Sequence, residues 1–108
     1  MVTAAFPKRG DVWLVNLDPV VGREIAKTRP GVVISPDELN THLGTVLVAP
    51  LTSTIKPWPF RVHVNFARRK GSIALDQLRA IDRARLVRRL GRVDAAPMLA
   101  VLREMFAD

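Results

Sequence analysis

The chain has 108 residues, and 17 Lys and Arg against 10 Asp and Glu give it a formal net charge of +7. That length allows one domain, residues 1–108, with room for a single core, and 48% apolar content makes it globular rather than disordered. The absence of cysteine excludes disulfides and thiolate metal sites, and no apolar run approaches the ~20 residues of a membrane span. With no signal-peptide core at the N-terminus, the expected location is the bacterial cytoplasm, with no membrane partner.

Residues 1–8 read as a loose arm. Arg9-Gly10-Asp11 is a turn signal, and residues 12–17 form a first strand that Asp18-Pro19 closes. Residues 20–28 make a loop or a hairpin tip, with Gly22 supplying backbone freedom. Residues 30–35 are a second strand, an apolar run ended by Ser35-Pro36. Pro30 biases Arg29 toward extended backbone. Arg29 therefore sits where a loop meets a rigid strand, a usual place for function.

Residues 37–40 suit one helical turn, with Gly44 as its stop. Residues 45–51 are a third strand, so apolar that it belongs at the centre of the sheet. Thr52-Ser53-Thr54 closes it, and Lys56-Pro57-Trp58-Pro59 is a stiff loop. Residues 60–66 alternate cleanly, with Phe60, Val62, Val64 and Phe66 on one face, as in a half-exposed antiparallel strand. Residues 68–71 make a turn. Residues 72–80 form a fifth strand whose alternation weakens at Gln77-Leu78.

Asp82 is placed to cap a short helix running to residue 90, and Gly91 stops it. Asp94 caps a last helix. Met98, Val101, Leu102 and Met105 recur there at helical spacing, with Leu99 and Phe106 widening the stripe. That stripe suits core better than interface. Pro97 is tolerated because the first turn has no amide hydrogen bond to lose. Connections between the strands are too short for crossover helices. The expected fold is therefore mainly β: an SH3-like small antiparallel barrel with a short helix and a C-terminal amphipathic helix.

Charge is uneven along the chain. Nine basic residues lie between Arg68 and Arg92 against two acidic ones, Asp76 and Asp82. Such a patch favours nucleic acid or an acidic protein. The two histidines, His42 and His63, have no carboxylate cluster alongside, so no metal site is expected. No serine has a nucleophile-elbow context, and there is no Gly-rich phosphate loop. What remains is arginine, hydroxyls and carboxylates.

If strands two and three pair antiparallel, the start of one lies beside the end of the other, and Arg29 shares a rim with Thr52. A guanidinium fork and a hydroxyl suit a phosphodiester. RNA needs little more, because its own 2′-hydroxyl can attack phosphorus in line once the backbone is oriented and the added charge is stabilised. The alternative makes Arg29 an ion-pair partner of Glu24, and Thr52 a strand-ending cap. Trp58 can stack on a base or cover the edge of the core. Lys56 can hold a phosphate. Gln77 can read a base edge or satisfy a backbone group.

Several short pieces then coincide: Arg9-Gly10-Asp11-Val12-Trp13, Asp18-Pro19, Gly22-x-Glu24, Lys27-Thr28-Arg29-Pro30-Gly31, Pro50-Leu51-Thr52-Ser53, Trp58-Pro59-Phe60 and Leu75-Asp76-Gln77-Leu78-Arg79. In this order and spacing the chain resembles the MazF/PemK toxins of bacterial toxin–antitoxin pairs, from about Arg9 to the C-terminus. The resemblance implies a homodimeric, metal- and cofactor-independent endoribonuclease. It would cut single-stranded mRNA at specific sequences, leaving 2′,3′-cyclic phosphate and 5′-hydroxyl ends. It places catalysis on Arg29 and Thr52, with Glu24 and Ser53 in support. Lys27, Lys56, Trp58, Gln77 and Arg9 would bind RNA. A cognate antitoxin with an acidic, flexible tail is the implied protein partner. A guanidinium is a poor base, so charge stabilisation suits Arg29 better than proton transfer. Two competing readings are a gyrase-poison toxin of the same fold, CcdB-like, and a non-catalytic RNA-binding module.

Overall fold

The third apolar run is the axis around which the sheet is built. The computed structural model describes residues 6–108. Its strands are β1 (Asp11–Asn16), β2 (Thr28–Val33), β3 (Thr45–Thr52), β4 (Arg61–Phe66), β5 (Arg69–Ala74), β6 (Arg79–Asp82) and β7 (Leu86–Arg92). Helix α1 covers Asp37–His42 and α2 covers Ala96–Phe106. The sheet order is β4-β5-β3-β2-β1-β7, with β6 beside β3. Every pairing is antiparallel.

Strand β3 changes partners along its length. Thr45 to Val48 pair with β6, whereas Leu51 and Thr52 pair with β5. Pro50, which has no amide hydrogen to give, falls between those two ladders. The sheet bends at this change and curls into an antiparallel half-barrel with two helices, in keeping with the expected barrel class.

Both faces of β3 are covered, which is why it reads as a continuous apolar run. Val46 and Val48 point to one side, with Val15, Leu17, Val33 and Ile81. Ala49 and Leu51 point to the other, with Val12, Val32, Ile34, Ile73 and Met98. Helix α2 lies over that second side. Met98 is fully buried, and Leu99, Val101 and Leu102 pack against the cluster. The helical stripe is thus core for its first two turns, while Met105 and Phe106 at its end are exposed.

Two expectations need correction. The strand expected over 72–80 is two strands, β5 and β6, separated by a 3-10 turn at Leu75–Gln77. The helix expected over 82–90 is a single 3-10 turn, Arg83–Arg85, followed by β7. Asp82 does act as a cap, its Oδ1 accepting from the Ala84 amide at 2.8 Å, but the turn goes no further. Strand β7 pairs with β1 across two register shifts, which leave Val87 and Leu90 as extra residues. Each bulge flips the alternation of faces. Leu86 consequently reaches one core cluster and Leu90 the other. Four residues apart and with the period of two broken twice, they imitate a helical pair. The basic turn is also tighter than expected. Ala67 and Arg68 alone form it, at φ of 51° and 63°, and Arg69 and Lys70 belong to β5.

Part of the expected N-terminal arm, residues 1–5, lies outside the described residues. Pro7 is buried, and its carbonyl accepts from Asn40 Nδ2 at 2.9 Å. Asn40 is fully buried and also donates to the Ser35 carbonyl at 3.1 Å, while Ser35 Oγ donates to its Oδ1. Helix α1 is thereby tied to the end of β2 and to the incoming chain. Among the described residues, no helix is long and apolar enough to cross a membrane.

Replacing Asn40 with Ala strands buried carbonyl groups and should destabilise the fold by about 2–3 kcal/mol. The shift of the urea midpoint at unchanged slope measures it, and an unmoved midpoint would refute the role of Asn40 as a tie.

Candidate active site

The ladder between β2 and β3 sets the site. It pairs Val33 with Val48, Val32 with Ala49 and Gly31 with Pro50. Continued two residues past the last paired position, that register carries Arg29 toward Thr52. Both line one cavity of about 590 Å³, together with Ser53, Arg69 and Lys70. Three of its lining side chains are basic and none is acidic. Gly71 lets β5 close in, since a Cβ there would stand 2.9 Å from the Thr52 carbonyl oxygen.

The guanidinium of Arg29 is half-buried and anchored at one nitrogen. Its Nε donates to the Ala26 carbonyl at 2.9 Å. Among the described residues its terminal nitrogens have no hydrogen-bond partner and it makes no ion pair. The Glu24 alternative is not realised: Glu24 Oε1 instead accepts from the Val21 amide at 2.6 Å and closes a turn of the loop. Thr52 is only 8% exposed. Its Oγ1 accepts from the Thr54 amide at 3.1 Å, so the capping reading holds, yet the hydroxyl proton remains available to a ligand. Ser53 is exposed beside it.

The loop that carries Ala26 is held from both sides. Lys27 sits at φ 72°, unusual for a residue with a side chain. Its amide donates to Asp18 Oδ1 at 2.9 Å, and its carbonyl accepts from the Leu17 amide at 3.0 Å. The Lys27 side chain is exposed. Gln77 reaches across from the 3-10 turn, and its Oε1 accepts from the Ile25 amide at 3.2 Å. The backbone-satisfying reading of Gln77 thus applies to its Oε1, while its amide nitrogen has no hydrogen-bond partner among the described residues.

The second loop is built around Trp58, which is 41% exposed. Lys56 Nζ lies 5.6 Å from its ring centroid, and the Arg61 guanidinium carbon lies 4.9 Å away. Both distances are in cation–π range. Phe60 packs against it at 5.5 Å. Arg61 is fixed by a two-pronged pair to Asp76, at 2.7 and 3.0 Å. His63 Nε2 meets the Lys56 carbonyl at 3.2 Å.

Arg9 does not join the site. Its Nε donates to the Ile34 carbonyl at 2.7 Å, beyond the end of β2 opposite to Arg29. Its amide donates to Asp37 Oδ1 at 2.8 Å. At ~3.3 Å per residue, the five steps from position 29 to position 34 put that carbonyl about 16 Å along the strand from Arg29. Arg9 is a structural tie, because the chain enters β1 at that end. Sequence reading missed the Arg61–Asp76 pair, which spans 15 positions with no local signal. It also placed Arg69 and Lys70 in a turn rather than in the cavity wall.

Comparison with known proteins agrees with this architecture. Residues 8–105 match the PemK-like, MazF-like toxins of type II toxin–antitoxin systems. The endoribonuclease MazF9 of Mycobacterium tuberculosis is 39% identical over 101 residues, covering 84% of this chain and 86% of that protein. The crystal structure of MazF (Form-I) from Deinococcus radiodurans has a TM-score of 0.85 at 27% identity, covering 97% of this chain and all of that one. The MazE–MazF (Form-II) structure from the same organism has a TM-score of 0.77 at 25% identity, covering 96% and 98%. With the match spanning nearly its whole length, the chain belongs to the PemK-like, MazF-like toxin family of type II toxin–antitoxin systems.

Proposed function

We propose that this chain is an endoribonuclease toxin that cuts single-stranded RNA at the Arg29–Thr52 cavity. The observation that carries this is the convergence of a guanidinium, its terminal nitrogens free among the described residues, and a threonine hydroxyl on one pocket whose charged lining groups are all basic. An RNA phosphodiester seated there brings its own nucleophile. The 2′-oxygen gives up its proton to solvent and attacks phosphorus in line, the P–O5′ bond breaks as the 5′-oxygen takes up a proton, and the products carry a 2′,3′-cyclic phosphate and a 5′-hydroxyl.

The chain's part is orientation and charge. Arg29, held at Nε, directs its terminal nitrogens to the non-bridging oxygens as they gain charge. Thr52 donates its hydroxyl proton to the same phosphate, and Ser53 lies beside it. Arg69 and Lys70 raise the local concentration of the polyanion. Lys27 and Lys56, exposed on the two flanking loops, are placed for neighbouring phosphates. Trp58 offers a partly exposed ring for a base, with Lys56 on a mobile stem that the base can displace. Glu24 supports the site through its turn. The basic surface also suits an acidic antitoxin tail, and a MazE-bound relative supports such a partner here.

Purified protein incubated with mixed RNA in EDTA, followed by end mapping, tests this. Specific cuts with 5′-hydroxyl ends support it. Intact but retarded RNA would favour a binding module, and untouched RNA with arrested gyrase would favour the CcdB-like reading.

Arg29→Ala should lower kcat by about 10²–10³-fold in a protein with unchanged circular dichroism, as removal of one oxyanion donor does. Normal cutting by that variant would remove Arg29 from the mechanism. For three basic contacts to a single strand, log affinity should fall with log salt at a slope of ~−2. A flat salt dependence in a filter-binding titration would contradict the electrostatic part of this reading.

A further inference from the structure

The Arg29–Thr52 cavity is larger than a phosphate requires, and much of its wall is apolar. Its volume of about 590 Å³ lies within the ~300–1,000 Å³ of pockets that enclose whole small molecules. Leu51, Phe66 and Leu90 line it, and each also packs against the core cluster that holds Met98. All three are half-buried, so the core is left uncovered here and forms the floor of the cavity. The exposed Arg69 and Lys70 stand at its rim.

Phe66 ends β4, and its ring is seated on β7. A Cβ at Gly91 would stand 3.1 Å from Cε1 of that ring and 3.2 Å from Cζ, so glycine gives the ring its room. Arg69 is the direct partner of Phe66 across the β4–β5 ladder. Partners of this kind stand on one side of the sheet with Cβ atoms ~5 Å apart. Lys70, next along, starts from the other side and also borders a second cavity with His63 and Asn65. Among the described residues Arg69 makes no ion pair.

A ring and an unpaired guanidinium side by side meet the two needs of an unstacked nucleobase, a π-face beneath it and hydrogen bonds at its edge. The inventory of donors says which edge. Arg29, Arg69 and Lys70 only donate, and no carboxylate or amide side chain lines the cavity. Of the two hydroxyls, Thr52 Oγ1 already accepts from the Thr54 amide, so Ser53 alone is uncommitted. A keto base brings acceptors to such a wall: O6 and N7 of guanine, or O4 of uracil. The amino groups of adenine and cytosine would meet further donors.

We propose that Phe66 and Arg69 form a base subsite beside the scissile phosphate, which takes a keto base, guanine or uracil, from one of the two nucleotides flanking the cleaved bond. Phe66 stacks on the base, and Arg69 donates to its keto oxygen. The proposal rests on the endoribonuclease reading of the cavity and adds to it a determinant of sequence preference.

The test uses an oligoribonucleotide carrying a site found by end mapping. It is made with each of the four bases, and with an abasic ribose, on either side of the cleaved bond. At one of those positions the wild type should cut keto substrates with kcat/KM about 10- to 100-fold above amino ones, the worth of a good arginine–base contact. Arg69→Ala should level that ratio. Loss of a bulk charge lowers both substrates alike, so the ratio reports on the contact itself. Phe66→Leu keeps the floor apolar and should lose about 10-fold in the preference for intact over abasic substrate at the same position. No keto preference at either position, a keto preference that survives in Arg69→Ala, or undiminished preference for intact substrate in Phe66→Leu overturns the subsite. If Phe66→Leu does not fold, Arg69→Ala decides. If the wild-type chain leaves RNA intact, the endoribonuclease reading fails and takes the subsite with it. If wild type cuts and Arg29→Ala does not, yet neither position prefers a keto base, the subsite alone fails.

Discussion

The register between β2 and β3 is the constraint on which the site depends. Shifting one strand by a single residue would turn its side chains to the opposite face. Val46 and Val48 would then leave one core cluster, and Ala49 and Leu51 the other. Arg29 and Thr52 would end on opposite sides of the sheet. Close packing holds β2 on its other side as well, since even a Cβ at Gly31 would stand 3.1 Å from Cγ2 of Val15 on β1. Burial of ordinary apolar side chains thus determines where a guanidinium meets a hydroxyl.

Arginine serves two purposes in this chain. Some guanidiniums bind the chain to itself. Arg79 donates to the Leu17 carbonyl at 3.2 Å, Arg85 to those of Asn16 and Asp18, and Arg92 to that of Arg9 at 3.2 Å. Arg89 pairs with Asp11 at 3.2 Å. These four belong to the basic stretch 68–92 that reads as a binding patch in the sequence. They satisfy carbonyls and a carboxylate where strands and loops end, in a chain with few aromatics to cover such places. The charge that faces the cavity comes instead from Arg29, Arg69 and Lys70. Net charge alone therefore overstates the surface offered to a polyanion.

The two loops beside the cavity have little core of their own. Glu24, Asp18, Gln77 and Asp76 hold them by hydrogen bonds to backbone or guanidinium. Polar tethers of this kind fix position without filling volume, so loop side chains such as Lys27 and Trp58 remain at the surface. Such an arrangement lets the sequence between tethers vary while the frame stays put.

Local pattern by itself determined a good deal. The apolar runs placed β1 to β3, clean alternation placed β4, and helical spacing placed α2. Antiparallel adjacency was enough to bring position 29 toward position 52, because short connections leave neighbouring strands little other choice. Other features were decided only by the folded chain. Strand β7 imitates a helix because two bulges erase its period, and its conformation is set by the open edge of β1 that it completes. Asp76 and Gln77 acquire their partners, Arg61 and Ile25, 15 and 52 positions away. Arg9 opens one of the matching motifs yet is held at the far end of β2. Periodicity reports which way a side chain faces along one element, but not which distant group will be waiting there; that depends on packing of the whole sheet.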